Sequence, residues 1–147
     1  MTSNVRTSRT LRSVGAVVAG ALVGIILSIS TDALLHLVGV FPPLGQPADD
    51  GPLVLATAYR TIYGVAGAFI TARLAPHRPM LHAMVLGTLG LIASAAGAAA
   101  TWNKGPAFGP HWYPVALIVL AIPTAWAGAK LYMKRSRASQ GGLNIVH

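Results

Sequence analysis

Three ionisable residues stand inside long apolar runs, and they are where chemistry has to be sought first. Asp32 and His36 lie four residues apart in one run, and Arg60 lies in the next. A four-residue spacing puts Asp32 and His36 on one face of a helix, with His36 one turn further along. Tyr59 and Tyr63 flank Arg60 and add hydroxyls to the set. A carboxylate and a guanidinium can join through two parallel hydrogen bonds, and arginine stays charged in any environment. In lipid an uncompensated charge costs at least ~2.5–3.5 kcal/mol on insertion scales, so each of these groups needs a partner. The expectation is an intramembrane cluster of Asp32, His36, Arg60, Tyr59 and Tyr63, built around an Asp32–Arg60 pair. Such a pair can fix helix register and nothing more, or it can handle a proton or small ion.

Other chemistry lacks its parts. The chain has no cysteine, so disulfides, thiolate metal sites and cysteine nucleophiles are excluded. It contains no Gly-x-Ser-x-Gly, no His-Glu-x-x-His and no glycine-rich phosphate loop with its lysine. The Asp32/His36 spacing suits two metal ligands, and His111 could approach from a loop. His36 and His82 belong to opposite ends of their runs, which is a poor arrangement for one haem iron. No enzymatic activity, no cofactor and no metal are expected.

The elements that must carry the cluster follow from composition. Of 147 residues 54% are hydrophobic and 10% charged, with Asp32, Asp49 and Asp50 the sole acids. Soluble domains carry about a quarter charged residues, and disordered chains are apolar-poor, so neither class fits. A spanning helix needs about 20 apolar residues to cross ~30 Å of hydrocarbon. Four stretches qualify, roughly 14–40, 53–75, 80–101 and 113–133, separated by Pro/Gly-rich links and followed by a basic tail, 134–147. Asp50-Gly51-Pro52 reads as a helix start with Pro at its first position. Pro123 should kink the fourth span and free the Val119 carbonyl. The predicted fold is an all-α integral membrane protein, a four-transmembrane-helix bundle made of two antiparallel hairpins.

Orientation follows from the bases. Arg6, Arg9, Arg12, Arg73, Arg78, Lys130, Lys134, Arg135 and Arg137 fall on one side of four spans; Lys104, Asp49 and Asp50 fall on the other. The positive-inside rule then makes both termini cytoplasmic and puts Trp102, Trp112 and Tyr113 at the outer interface. A cleavable signal peptide ending near Ser30 is the alternative for the first run. That run continues through Leu34, Leu35 and Val38, too long for a signal core, so it is expected to remain. A multi-pass protein of a bacterial cytoplasmic membrane is the expected setting. The basic inner face is expected to contact anionic lipid, and no extended basic surface for nucleic acid is present.

Small residues recur every fourth position on the first two spans. Gly20, Gly24 and Ser28 lead up to Asp32, while Gly64, Ala68 and Ala72 follow Arg60. Such rows let backbones approach, which in lipid replaces the missing hydrophobic drive. Laid antiparallel with Asp32 opposite Arg60, the rows pair Ser28 with Gly64, Gly24 with Ala68 and Gly20 with Ala72. Depth agrees: Asp32 lies about 12 Å and Arg60 about 10 Å below the outer ends of their spans, at 1.5 Å per residue. Ala93 and Gly97 on the third span offer a further close contact, within the chain or between copies. Ile70-Thr71-Ala72-Arg73-Leu74 and Ala127-Gly128-Ala129-Lys130-Leu131 echo each other faintly, as a parallel duplication of two hairpins would.

Span count and length match small multidrug transporters and dual-topology fluoride channels, but the motifs do not. The first-span Glu of the former has no counterpart here, and the pronounced charge bias is unlike the latter. The expected function is that of a non-enzymatic structural or accessory protein that self-associates or binds a membrane partner. The alternative is a small proton or ion transporter using Asp32, His36 and Arg60.

Overall fold

Every apolar run becomes a helix, and the Pro/Gly-rich links become the turns between them. The computed structural model describes the backbone of residues 2–143 and the side chains of 8–139. Helix α1 spans Thr2–Leu37, α2 Asp50–Leu74, α3 Pro79–Thr101 and α4 Trp112–Leu143; a single 3-10 turn, Pro106–Phe108, lies before α4. Among the described residues there is no strand. All four helices are long and apolar enough to cross a membrane. The side chain of Arg6 and residues 144–147 of the basic tail lie outside the described residues.

The helix ends depart from the apolar runs for local reasons. Helix α1 stops at Leu37, short of the expected Val40. Gly39 takes φ +76 and its N–H meets the His36 carbonyl at 3.2 Å, while Val40 N–H reaches back to Leu35 at 2.9 Å. That is a Schellman end, which a left-handed glycine makes possible whatever the polarity of its neighbours. Helix α2 begins at Asp50, so Pro52 occupies the third helical position and not the first. No helix hydrogen bond is lost there, because the N–H groups of the first turn have no partner within the helix. Helix α4 continues ten residues past Met133, through bases and alanine that favour helix, and it runs on through Pro123.

Packing is by small residues. The buried apolar positions are mostly alanines, among them Ala16, Ala68, Ala72, Ala83, Ala125 and Ala129, and the largest fully buried side chain is Thr71. Large side chains point outward; Ile29, Ile62 and Val119 are 62–64% exposed. In water such a molecule would leave its apolar surface uncovered. In lipid the arrangement is favourable, because hydrocarbon solvates leucine and isoleucine and only close backbone contact rewards association.

Helix α2 sits at the centre. It packs antiparallel on α1, where a Cβ on Gly67 would lie 2.6 Å from the Gly20 carbonyl oxygen. It packs parallel to α4, where a Cβ on Gly64 would meet Thr124 Oγ1 at 3.2 Å and one on Gly128 would strike the Val65 carbonyl and Ala68. Helix α3 lies antiparallel on α4, with Gly87 against Ala125. Where α2, α3 and α4 meet, Ala68, Ala72, Ala83, Ala125 and Ala129 gather into one cluster.

This corrects the register expected for the first two helices. Gly20 and Gly24 do meet α2, but through Gly67, Thr71 and the Tyr63 carbonyl. Gly64, Ala68 and Ala72 face α4 and α3, and Ser28 has no Gly64 opposite it. The reason is the ~40° drift of each four-residue step around a 3.6-residue helix. Three steps carry the row from Arg60 to Ala72 through about 120°, from the α1 face to the α4 face.

Candidate functional site

The C-terminal end of α1 and the starts of α2 and α4 enclose a cup, and the sequence builds it from the chain reversal after α1. Once Gly39 has turned the chain, Phe41 N–H bonds the Leu35 carbonyl at 3.1 Å. Its ring is thereby folded inward onto Ala56 and Tyr59, with Leu35, Tyr63 and Tyr113 around it. A second turn follows: Gln46 N–H meets the Pro43 carbonyl at 3.1 Å with Gly45 at φ +87, the glycine-demanding third position of a type II turn. Leu44 at its tip is 90% exposed. On the far side, Trp112 Nε1 donates to Asp50 Oδ1 at 2.8 Å and ties the start of α4 to the start of α2.

At the foot of the cup the two intramembrane charges meet. Arg60 Nη2 donates to Asp32 Oδ2 at 2.5 Å. The Tyr59 hydroxyl donates to the other carboxylate oxygen, Oδ1. Each oxygen of Asp32 thus has a donor from α2, which satisfies the carboxylate. The contact is single-point at the guanidinium and not the two-pronged grip expected. Arg60 Nε is buried without a hydrogen-bond partner, and the guanidinium carbon stands 6.0 Å from the Tyr113 ring centre, at the edge of cation–π range. The two side chains are 33% and 28% exposed, so the pair is reachable from the cup.

The helix ends alter the depth estimate but not the meeting. Asp32 lies about 8 Å from the end of α1 and Arg60 about 15 Å from the start of α2, at 1.5 Å per residue. Helix α2 therefore rises further outward than α1, and its extra turns form one wall of the cup.

The remaining members of the expected cluster are placed differently. His36 does not touch the carboxylate. Its Nδ1–H donates to the Asp32 main-chain carbonyl at 2.8 Å, leaving Nε2 as the ring's acceptor, and its ring packs 5.3 Å from Phe41. Tyr63 does not reach Arg60. Its hydroxyl shares a 2.8 Å hydrogen bond with the Thr31 hydroxyl, and its ring tilts against Tyr59 at 5.6 Å. Two residues outside the expected cluster take part, Thr31 and Tyr113. Thr31 was signalled by its place beside Asp32. Tyr113 was read as an interface aromatic, and only the folding of α4 against α2 brings it over Arg60.

The cavity holds about 210 Å³ and is bordered by Asp32, His36, Phe41, Arg60 and Tyr113, with the 42–46 loop at its mouth. Inward of Asp32 the α1–α2 seam closes. The Thr31–Tyr63 bond spans it first, and below that Gly24 lies against the Tyr63 carbonyl and Gly20 against Gly67. The cup has a mouth and a floor.

Histidines elsewhere are engaged apart from the cup. His111 stacks on Trp102 with ring centres 4.2 Å apart, its Nε2 bonded to the Trp102 carbonyl at 2.9 Å. His77 and His82 meet edge-to-face in the inner turn. Among the described residues no three His, Asp or Glu side chains gather as a metal would require. No family model, curated protein or solved structure matches the chain.

Proposed function

We propose that this chain is a four-span membrane protein with both termini in the cytoplasm, acting without enzymatic turnover as an accessory protein that receives a partner group in its outer cup. The observation that carries this reading is the cup's form. It opens at the outer end onto Asp32 and Arg60 and is closed below by glycine-mediated backbone contact. The charge distribution supports the orientation, because the cup's end of the bundle carries Lys104, Asp49 and Asp50 while the other bases, Arg60 aside, cluster at the opposite end.

The free valences describe what the cup accepts. Both Asp32 oxygens are occupied, whereas Arg60, Tyr113 and His36 Nε2 retain donor or acceptor capacity. Phe41, Pro42 and Leu53 make the upper wall apolar. A polar group on an apolar stem, such as a side chain of a partner membrane protein, satisfies both parts. The test is site-specific crosslinking in native membranes from a photoreactive residue at Leu44. A discrete adduct that disappears when Ala48→Trp fills the mouth is the expected result. No adduct, or one indifferent to Ala48→Trp, overturns partner binding at the cup.

The accessibility of Asp32 favours a second reading, proton or ion transport. It requires the seam below Asp32 to open. Purified protein in liposomes is expected to show no more pH-dye flux than Asp32→Asn; flux lost on that substitution would establish transport and displace the accessory reading.

A further inference from the structure

A second cleft lies at the opposite end of the molecule, between α2 and α4. We propose that it is a defined binding site for the phosphate of an anionic phospholipid. Its volume is about 470 Å³, and its lining is Phe69, Arg73, Tyr132, Arg135, Ser136 and Ser139. Tyr132, Arg135, Ser136 and Ser139 follow helical spacing, so all four share one face of α4. Arg73 faces them from the last turn of α2.

The cleft exists because the two parallel helices end at different levels. Gly64 lies beside Thr124, and Ala68 beside Gly128, so Leu74 at the end of α2 is level with about residue 134 of α4. Arg135 to Ser139 then project past α2 by up to about 8 Å at 1.5 Å per residue. They form a wall with nothing of α2 in front of it.

Polarity is graded along the cleft as it is along a phospholipid. Phe69 and Tyr132 meet edge-to-face at 5.7 Å on the bilayer side, one turn inward from Arg73 and Arg135. The arginines and serine hydroxyls lie towards the aqueous side. Guanidinium groups bind phosphate oxygens through paired, charge-assisted hydrogen bonds, and hydroxyls supply further donors.

Charge completes the case. Both guanidiniums line one cleft, and no aspartate or glutamate side chain lies near enough to neutralise them. The three acids are all in the outer half, where Asp32 holds Arg60 and Asp50 holds Trp112. Among the described residues neither guanidinium has a carboxylate partner, and the cytoplasmic leaflet presents anionic lipid at that level. This proposal rests on the membrane placement given above but not on the outer cup, so either can fail alone.

The test is native mass spectrometry of the purified full chain exchanged into mixed phosphatidylglycerol and phosphatidylcholine. Phosphatidylglycerol should be retained over phosphatidylcholine by at least about fivefold, the equivalent of ~1 kcal/mol. Arg73→Gln with Arg135→Gln should abolish that preference, and Lys134→Gln with Arg137→Gln, the same charge removed outside the cleft, should leave it unchanged. Equal retention of both lipids, or equal loss in both double variants, would overturn a defined site. Displacement of phosphatidylglycerol by millimolar inorganic phosphate would overturn the lipid as ligand in favour of a soluble phosphate. If the arginine variant does not fold, Ser136→Ala with Ser139→Ala decides the matter: reduced preference supports the site, unchanged preference overturns it.

Discussion

Asp32 has two donors from α2, and the two do different work. Arg60 supplies charge, so Asp32→Asn turns a charge-assisted bond into a neutral one and leaves the guanidinium without its counter-ion; at the observed partial exposure a loss of about 2–3 kcal/mol is expected in unfolding from detergent micelles. Tyr59 supplies only a hydroxyl, and Tyr59→Phe should cost about 1–2 kcal/mol, measured the same way. Tyr63→Phe should cost no more than about 1 kcal/mol, because Thr31 can turn its hydroxyl to a helix carbonyl. A Tyr63 variant as costly as Asp32→Asn would mean that the seam below the cup, and not the charge pair, holds the hairpin. At this scale the sequence was partly legible. Asp32 and Arg60 stood out because charge within apolar runs is expensive, and Tyr59 because it adjoins Arg60. His36 and Tyr63 lie beside the pair without bonding to it, because helical spacing gives the face and not the rotamer: His36 turns to its own backbone, and Tyr63 reaches Thr31.

Individual helices were legible down to their apolar limits; their contacts were less so. The small-residue rows identified which positions approach a neighbour, but a row that slants by ~40° per step cannot remain on one neighbour for its whole length. Gly20 and Gly24 serve α1–α2, whereas Gly64, Ala68 and Ala72 serve the seam with α4. Substitutions separate these roles from glycine as such. Gly67→Val and Gly128→Val both drive a side chain into backbone of a facing helix, and each should lower stability by about 3 kcal/mol or more, or prevent folding. A Cβ at Gly90 or Gly97 has nothing within 4 Å, so Gly90→Val and Gly97→Val should change stability by less than about 1 kcal/mol in the isolated chain. Loss of folding in the Gly90 variant alongside an unaffected Gly128 variant would contradict the packing order described here. The helix ends escaped the apolar pattern because they are set by backbone, as at Gly39, or by helix-favouring tail residues beyond Met133.

Viewed whole, the molecule is an inverted solute, with alanine and glycine inside and leucine, isoleucine and valine outside. Composition and span length made that much legible. The two clefts were not, because each arises where neighbouring helices end at different levels: α2 overtops α1 at the cup, and α4 outruns α2 at the other end. The absence of cysteine from the sequence provides a clean test of orientation. In intact cells a membrane-impermeant maleimide should label Lys104→Cys but not Ser139→Cys, and permeabilisation should expose the second; the reverse pattern would invert the protein in the membrane. Since α1 joins the bundle chiefly through α2, global unfolding reports on the Asp32–Arg60 pair. The most direct measurement is therefore a double-mutant cycle of Asp32→Asn and Arg60→Gln, followed by unfolding of the reconstituted chain. The expected coupling is about 1.5 kcal/mol or more, the double variant being less damaged than its two parents imply. Effects that add to within about 0.5 kcal/mol would show that the two side chains act independently, and would contradict the lock at the foot of the cup.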